Sequence, residues 1–264
     1  MYEQVLYEQR GRVALVTLNR PEKLNAWGPT MEREFLDVVD RVANDRSVTA
    51  MVVTGAGRAF CAGGDISLWN EDVSGRSEAR PVSSLIAREG SPDVPIALSR
   101  GKPAIAAING PAIGIGLTMP LACDIRIASD RAQFSARFVK VGLTPECGST
   151  RYLPLVAGLS NALYLAMTGR IIDANEAKER GLVDRVVPHD TVLDEALALA
   201  EEIAENPPDA VWAAKRLLHQ NAVEGDLRRV TTEEVYSLRE MRLLPDHAEA
   251  VRAFMEKRPP KFQG

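Results

Sequence analysis

Two glycine-rich stretches, each placed directly after a β-branched run, restrict this chain more than any other feature. AFCAGGDI (Ala59 to Ile66) follows VTAMVVTG, which ends at Gly55, and NGPAIGIG (Asn109 to Gly116) follows PAIAAING, which ends at Gly110. A strand that ends in glycines and then enters a helix leaves backbone N–H groups unpaired at the positive end of a helix dipole. Such groups bind anions. Two of these turns in one domain point to two donors on a single oxygen, the geometry of an oxyanion hole. Taken alone, either loop also reads as an ordinary turn. The dinucleotide fingerprint is incomplete, because Met119 stands where its third glycine belongs, and no Gly-Lys-Ser/Thr follows to make a phosphate loop.

The text around the loops reads as alternating strands and helices. YEQVLYEQ and RVALVTL, separated by Arg10-Gly11-Arg12, predict a β-hairpin. Pro29 opens a helix through about Ala43, with Met31, Phe35, Val38, Val39 and Val42 on one face. Buried strands follow at Ala50 to Thr54 and Ala104 to Ile108, a helix runs from Gly114 to about Ala122, and CDIRIAS is a further strand. Ala132 to Phe138 reads as extended. VGLTPECG is a turn that delivers Glu146 to the start of a helix ending near Ala157, with another helix at Ser160 to Met167. DANEAKERG is a short helix stopped by Gly181, and LVDRVVP is the last strand. Between Ser67 and Ser99, Gly75, Pro81, Gly90, Pro92 and Pro95 interrupt the helical pieces, as expected of a rim or substrate-facing segment.

Beyond Pro188 the pattern is only helical, with pieces at Val192 to Ala204, Asp209 to Val223, Asp226 to Leu238 and Asp246 to Glu256. An α/β domain over 1–190, followed by a helical subdomain over 191–264, is the expected organisation. The helical part has apolar stripes that it must bury against something.

Composition narrows the function classes. A net charge of −4 with scattered basic residues gives no nucleic-acid groove, and no run of about 18 apolar residues predicts a membrane span. Cys61, Cys123 and Cys147 are odd in number and widely spaced, so neither a disulfide framework nor a structural zinc is expected, and the compartment expected is the cytoplasm. His189, His219 and His247 lie away from the glycine loops in sequence and lack metal-ligand spacing. Cys147 has no obvious histidine partner and reads as packing. Trp27, Trp69 and Trp212 are isolated and read as core or rim residues.

The chain resembles the crotonase superfamily, the enoyl-CoA hydratase/isomerase family, through LNRPEKLNAW, GRAFCAGGDI, KPAIAAINGPAIGIG, CDIRIAS, VGLTPECGSTRYLP and the tail FMEKRPPKF, which follow one another along almost its whole length. The resemblance implies an α/β fold built as a spiral of repeated strand-strand-helix units. It further implies a C-terminal helical subdomain that joins subunits into a homotrimer or a dimer of trimers, although no repeat is visible in the sequence. It implies an acyl-CoA thioester substrate, with coenzyme A entering as part of that substrate rather than as a bound cofactor; the cysteine and histidine spacings predict no metal.

By position, the oxyanion donors of the family fall on the backbone N–H groups of Gly64 and Ile115. The two glutamates of its hydratases fall on Thr118 and Phe138, neither of which is a carboxylate base. Glu146 matches the single catalytic glutamate of 3-enoyl-CoA to 2-enoyl-CoA isomerases, in a Pro-Glu-x-x-Ser pattern carried by Pro145, Glu146 and Ser149. Burial in an acyl pocket would raise its pKa, and a helix N-terminus would lower it. An aspartate at that place is the nucleophile of 4-chlorobenzoyl-CoA dehalogenases, but the extra methylene of Glu146 moves the attacking oxygen. Lys23, Leu24 and Ala26 match the loop along the pantetheine and nucleotide; Ala62, Asp65 and Ile66 match backbone contacts around the adenine. Lys257, Arg258 and Phe262 resemble a tail that reaches the nucleotide in relatives.

Isomerisation with Glu146 as the proton shuttle is therefore the expected reaction. Hydration remains an alternative, with Glu71, Asp72, Glu78 or Glu89 replacing the missing carboxylates. A crotonase-shaped binding or assembly subunit without catalysis is the third reading.

Overall fold

The computed structural model describes residues 2–67 and 93–262. Strands β1 (Val5–Arg10) and β2 (Val13–Leu18) form the expected hairpin, with Val5 opposite Leu18 and Arg10 opposite Val13. From β2 the sheet continues in parallel through β3 (Ala50–Gly55), β4 (Ala104–Ile108), β6 (Ile125–Ser129) and β9 (Arg185–Val187). Every residue of β3 and β4 is buried. Continuous burial is what a parallel sheet covered on both faces requires, and it explains why these strands read as unbroken apolar runs.

Alternate residues of the strands face two apolar layers. Met51, Val53, Ala104 and Ala106 pack with Met31, Phe35, Val38 and Val42 of helix α1 (Pro29–Asn44). Val52, Ile105, Ala107 and Ile127 pack on the other side with Val192, Ala196, Leu197 and Ala200 of a helix at Val192–Ala204, labelled α6 below. The first helix of the 191–264 segment thus lies on the same sheet as the strands of 1–190.

A second, three-stranded sheet is formed by β5 (Ala112–Ile113), β7 (Gln133–Ser135) and β8 (Ile172–Asp173), in the order β5-β7-β8. Each strand arises inside a crossover of the large sheet: β5 between β4 and β6, and β7 and β8 between β6 and β9. This gives strand-strand-helix units, β4–β5 leading into α3 (Ile115–Thr118) and β6–β7 leading toward α4 (Ser149–Thr168). The remaining helices among the described residues are α2 (Asp93–Arg100), α5 (Ala174–Glu179), α7 (Pro208–Asn221), α8 (Leu227–Arg242) and α9 (Pro245–Glu256).

Several expected elements are altered in detail. The helix expected over Gly114 to Ala122 is one short turn, α3, followed by a 3-10 turn at Pro120–Ala122, because Pro120 has no N–H to continue the ladder. The extended segment at Ala132 to Phe138 is only β7, with a 3-10 turn from Arg137 to Val141. Helix α4 begins at Ser149 rather than Glu146, and Gly158 (φ 76°, ψ 156°) breaks it where two separate helices were expected. Residues 68–92, which hold Trp69, Glu71, Asp72, Glu78 and Glu89, lie outside the described residues.

The C-terminal helices are tied down by a charged cluster. Lys215 of α7, buried, donates to the carbonyls of Leu98 (2.6 Å) and Lys102 (2.9 Å) and pairs with Asp124 at 2.9 Å. His219 meets the other oxygen of Asp124 at 2.7 Å, and Asp124 also accepts the Ala104 N–H at 2.7 Å. The helix is thereby anchored to the start of β4.

Candidate active site

The two glycine loops lie side by side because their backbones touch. The N–H groups of Phe60 and Cys61 both reach the Pro111 carbonyl at 3.1 Å, and the Ile113 N–H reaches the Cys61 carbonyl at 2.9 Å. Only glycine permits this approach at Gly110 and Gly116. A Cβ there would stand 2.2 Å from the Arg58 oxygen and 2.0 Å from the Cys61 oxygen, respectively. Asn109 laces the loops further, accepting the Gly55 N–H at 3.2 Å and donating to Gly57 O at 2.9 Å.

Trp27 fixes the far end of the first loop. Its N–H donates to Gly63 O and its carbonyl accepts the Asp65 N–H, both at 2.8 Å. In this bridge the N–H of Gly64 points away from Trp27. Ile115 is the first residue of α3, behind Gly114 at φ 55°. Its N–H is one of the unpaired donors of a helix start. Among the described residues neither the Gly64 N–H nor the Ile115 N–H has an acceptor.

The Glu146 side chain meets the second loop. Thr118, the last residue of α3 and fully buried, donates its hydroxyl to Glu146 Oε1 at 3.3 Å. Among the described residues Glu146 Oε2 is buried and has no hydrogen-bond partner. Burial, chiefly, and the charge of Glu32 push the Glu146 carboxyl up to about 7, against the Thr118 bond, which lowers it. Glu32 sits on α1, where the Trp27 indole N–H donates to it at 3.2 Å. A carboxyl that titrates near neutrality can both accept and return a proton.

The residues expected along coenzyme A also come together. Lys23 ends a 3-10 turn, and Leu24 and Asn25 follow with φ of 53° and 55°. The buried Asn25 amide donates to the carbonyls of Ala56 (2.9 Å) and Ala59 (2.8 Å), and the Ala62 N–H reaches Leu24 O at 3.0 Å. Arg20 joins the two segments, donating to Ala26 O at 2.8 Å and to Asp65 at 3.0 Å. Hydrogen bonds from Ser67, then Arg20, hold the Asp65 carboxyl down at about 2. Lys23 Nζ lies 3.7 Å from Asp65 with its side chain half exposed, and Ile66 is exposed. The tail is separate. Arg258 is engaged by Glu249 and Glu256, and no hydrogen bond or ion pair among the described residues joins 257–262 to the Lys23 loop.

Other candidates recede. All three cysteines are buried, and burial pushes the thiols of Cys61 and Cys123 up to about 12 and that of Cys147 well up. A thiolate nucleophile at neutral pH is therefore disfavoured. His189 meets Ser129 at 3.0 Å and His219 is committed to Asp124. Among the described residues no cluster of His, Cys, Asp and Glu could hold a metal ion, and no helix is long and apolar enough to cross a membrane. Sequence reasoning missed the roles of Trp27, Glu32 and Thr118, whose partners lie on other segments of the chain. Trp27 is a core side chain, as expected, its ring 5.5 Å from that of Phe35, and its backbone also bridges to the first loop.

The fold is that of the crotonase class of acyl-CoA enzymes. The enoyl-CoA hydratase from Bacillus anthracis superimposes with a TM-score of 0.89 at 31% identity, covering 99% of this chain and 100% of that one. The family model for enoyl-CoA hydratase/isomerase matches residues 8–264, and the chain belongs to that family. It is 35% identical over 264 residues to the 1,2-epoxyphenylacetyl-CoA isomerase of Escherichia coli, covering all of both chains. It is also 35% identical over 263 residues to the short-chain-enoyl-CoA hydratase of Clostridium acetobutylicum, covering 98% of this chain and 97% of that protein. The protein is thus a crotonase-type enzyme of acyl-CoA thioesters, and relatives of isomerase and of hydratase name stand at equal identity.

Proposed function

We propose that the protein moves the double bond of an enoyl-CoA thioester, with Glu146 as the single acid/base and the Gly64 and Ile115 N–H groups holding the thioester oxygen. The observation that carries this reading is the Glu146 carboxyl: one oxygen held by Thr118, the other buried and without a hydrogen-bond partner among the described residues, and its pKa raised to about 7. Glu146 takes a proton from the acyl α carbon, and the electron pair runs into the thioester oxygen to give an enolate. The same carboxyl then returns the proton to the γ carbon as the α,β double bond forms. Each backbone donor to that oxygen is worth about 3 kcal/mol in the transition state.

Lys23, Leu24, Ala26, Ala62, Asp65 and Ile66 would line the coenzyme A part of the substrate, and the Arg20 bridge that joins their two segments supports this placement. No separate cofactor is required. The 191–264 segment would form subunit contacts of a homotrimer or a dimer of trimers. Leu243 and Phe254 of that segment are more than four-fifths exposed in the single chain; outside it, Leu159, Leu163 and Met167 make an exposed stripe on the part of α4 after the Gly158 break.

Hydration is the second reading, and Glu32 favours it. A second carboxylate whose charge reaches Glu146 could activate water. Incubating the protein with 3-enoyl- and 2-enoyl-CoA in heavy water separates the two. Isomerisation places deuterium at the α and γ carbons, and Glu146→Gln abolishes it; a 3-hydroxyacyl product, or exchange unaltered in Glu146→Gln, would defeat the isomerase reading.

A further inference from the structure

We propose that Thr118 is a positioning residue that divides the work of the Glu146 carboxyl, its hydroxyl holding Oε1 so that Oε2 is the oxygen that takes and returns the proton. The inference rests on the isomerase reading and adds to it which oxygen reacts and what aims it.

Thr118 has no water to turn to, being fully buried, and its place is fixed from two sides. Its own N–H closes onto Gly114 O at 3.0 Å. The neighbouring Gly116 is pressed against the Cys61 carbonyl, where a Cβ would come within 2.0 Å. The hydroxyl is therefore held in register with Ile115, one helical turn earlier. The hydroxyl also meets the Cys147 thiol, which is neutral and can donate its S–H to the hydroxyl oxygen, so the hydroxyl proton is left for Oε1; among the described residues the buried Oε2 has no partner.

The same bond serves both protonation states of the shuttle. When Glu146 is ionised, Oε1 accepts as a carboxylate oxygen; when the proton sits on Oε2, Oε1 accepts as a carbonyl oxygen. No donor has to be found or released as the proton comes and goes. The bond is long at 3.3 Å and strengthens on the charged form, so it favours ionisation and opposes burial. Among the described residues the other titratable groups that act on this carboxyl are Glu32 from α1, the Cys61 thiol of the first loop and the Cys147 thiol of its own turn. The two thiols stay neutral at the pH of interest, so Thr118 acts chiefly against Glu32 and burial.

The test compares Thr118→Val, which removes the hydroxyl at nearly constant volume, with Thr118→Ser, which keeps it. Deuterium exchange from 3-enoyl-CoA is followed from pH 5 to 9, alongside the carboxyl 13C titration of Glu146 in each protein. Thr118→Val is expected to move the Glu146 midpoint and the acidic limb of kcat/KM to higher pH. It should also slow exchange at pH 7 by about fivefold, the worth of one such hydrogen bond, with KM little changed. Thr118→Ser is expected to restore both. An unmoved midpoint in Thr118→Val, or a Ser variant as impaired as the Val variant, overturns the proposal. Should the Val variant not fold, Thr118→Ala takes its place in the titration, with the same shift expected and the same refutation. A wild-type protein that exchanges no deuterium defeats the isomerase reading itself, whereas exchange in the wild type with an unmoved Val profile defeats only this inference.

Discussion

Replacing Glu146 by Gln should alter how folding stability depends on pH, in a direction and by an amount that follow from the burial of its carboxyl. In the folded chain the group titrates near 7, against an ordinary value of 4.5, with burial the largest cause. A raised carboxyl favours its protonated form in the fold. Its contribution is fully present below pH 4.5 and is lost as pH rises through 7, where the folded protein has to ionise a buried group. At about 1.4 kcal/mol per pH unit of displacement, the loss between pH 4 and pH 8 is about 3 kcal/mol.

Glutamine keeps the shape and an acceptor for the Thr118 hydroxyl, but it does not titrate. Relative to wild type, Glu146→Gln is therefore expected to gain about 3 kcal/mol in unfolding free energy between pH 4 and pH 8. The measurement is a urea titration of both proteins at each pH, at one fixed protein concentration and without ligand. The quantity read is the change in their difference, which cancels every other group that titrates identically in the two. A difference that stays constant from pH 4 to pH 8 would refute the burial argument, and with it the claim that Glu146 is poised near neutrality.

Two further outcomes follow from neighbouring groups. Glu32→Gln removes the like charge that helps raise Glu146, so the Glu146 midpoint and the acidic limb of kcat/KM should move to lower pH; a limb that stays put or moves upward on a pH–rate profile would contradict this. Gly116→Ala places a Cβ about where the Cys61 carbonyl oxygen already lies, so the loops must part, and a loss of roughly 3 kcal/mol or more is expected by urea denaturation. Gly225→Ala, with nothing within 4 Å of the added Cβ, is the control and should leave stability nearly unchanged.

What the amino-acid text conveys depends on how local the deciding interaction is. β3 and β4 are legible because burial on both faces demands continuous apolar residues, and α1 because its buried residues recur at helical spacing. The glycines of the two loops are legible as turns, but the reason for Gly116 is a carbonyl contributed by a different segment, at Cys61. β5 and β8 have two residues each, too few for any period to show. The strand-strand-helix repetition escapes the sequence for the same reason, since it resides in backbone pairing and not in side chains. Glu146 could be singled out, but the hydroxyl that holds it is 28 residues away and the charge that acts on it belongs to α1.

The position of Glu146 relative to α4 decides which of two opposing influences sets its charge. Placed in the first turn of a helix, a carboxylate is stabilised by the dipole, which would draw its pKa down and make it a weaker base. In the structure the helix begins only at Ser149, and Cys147 (φ 54°) and Gly148 (φ 68°) carry the chain through the left-handed region in between. The Ser149 N–H reaches the Glu146 main-chain carbonyl at 3.1 Å, while the carboxyl turns toward Thr118. A non-glycine residue held left-handed, as Cys147 is, costs on the order of 1 kcal/mol and persists only where its surroundings enforce it. Here the left-handed pair keeps the carboxyl off the helix terminus and leaves burial in control. That is the condition under which one glutamate can work as both base and acid near pH 7.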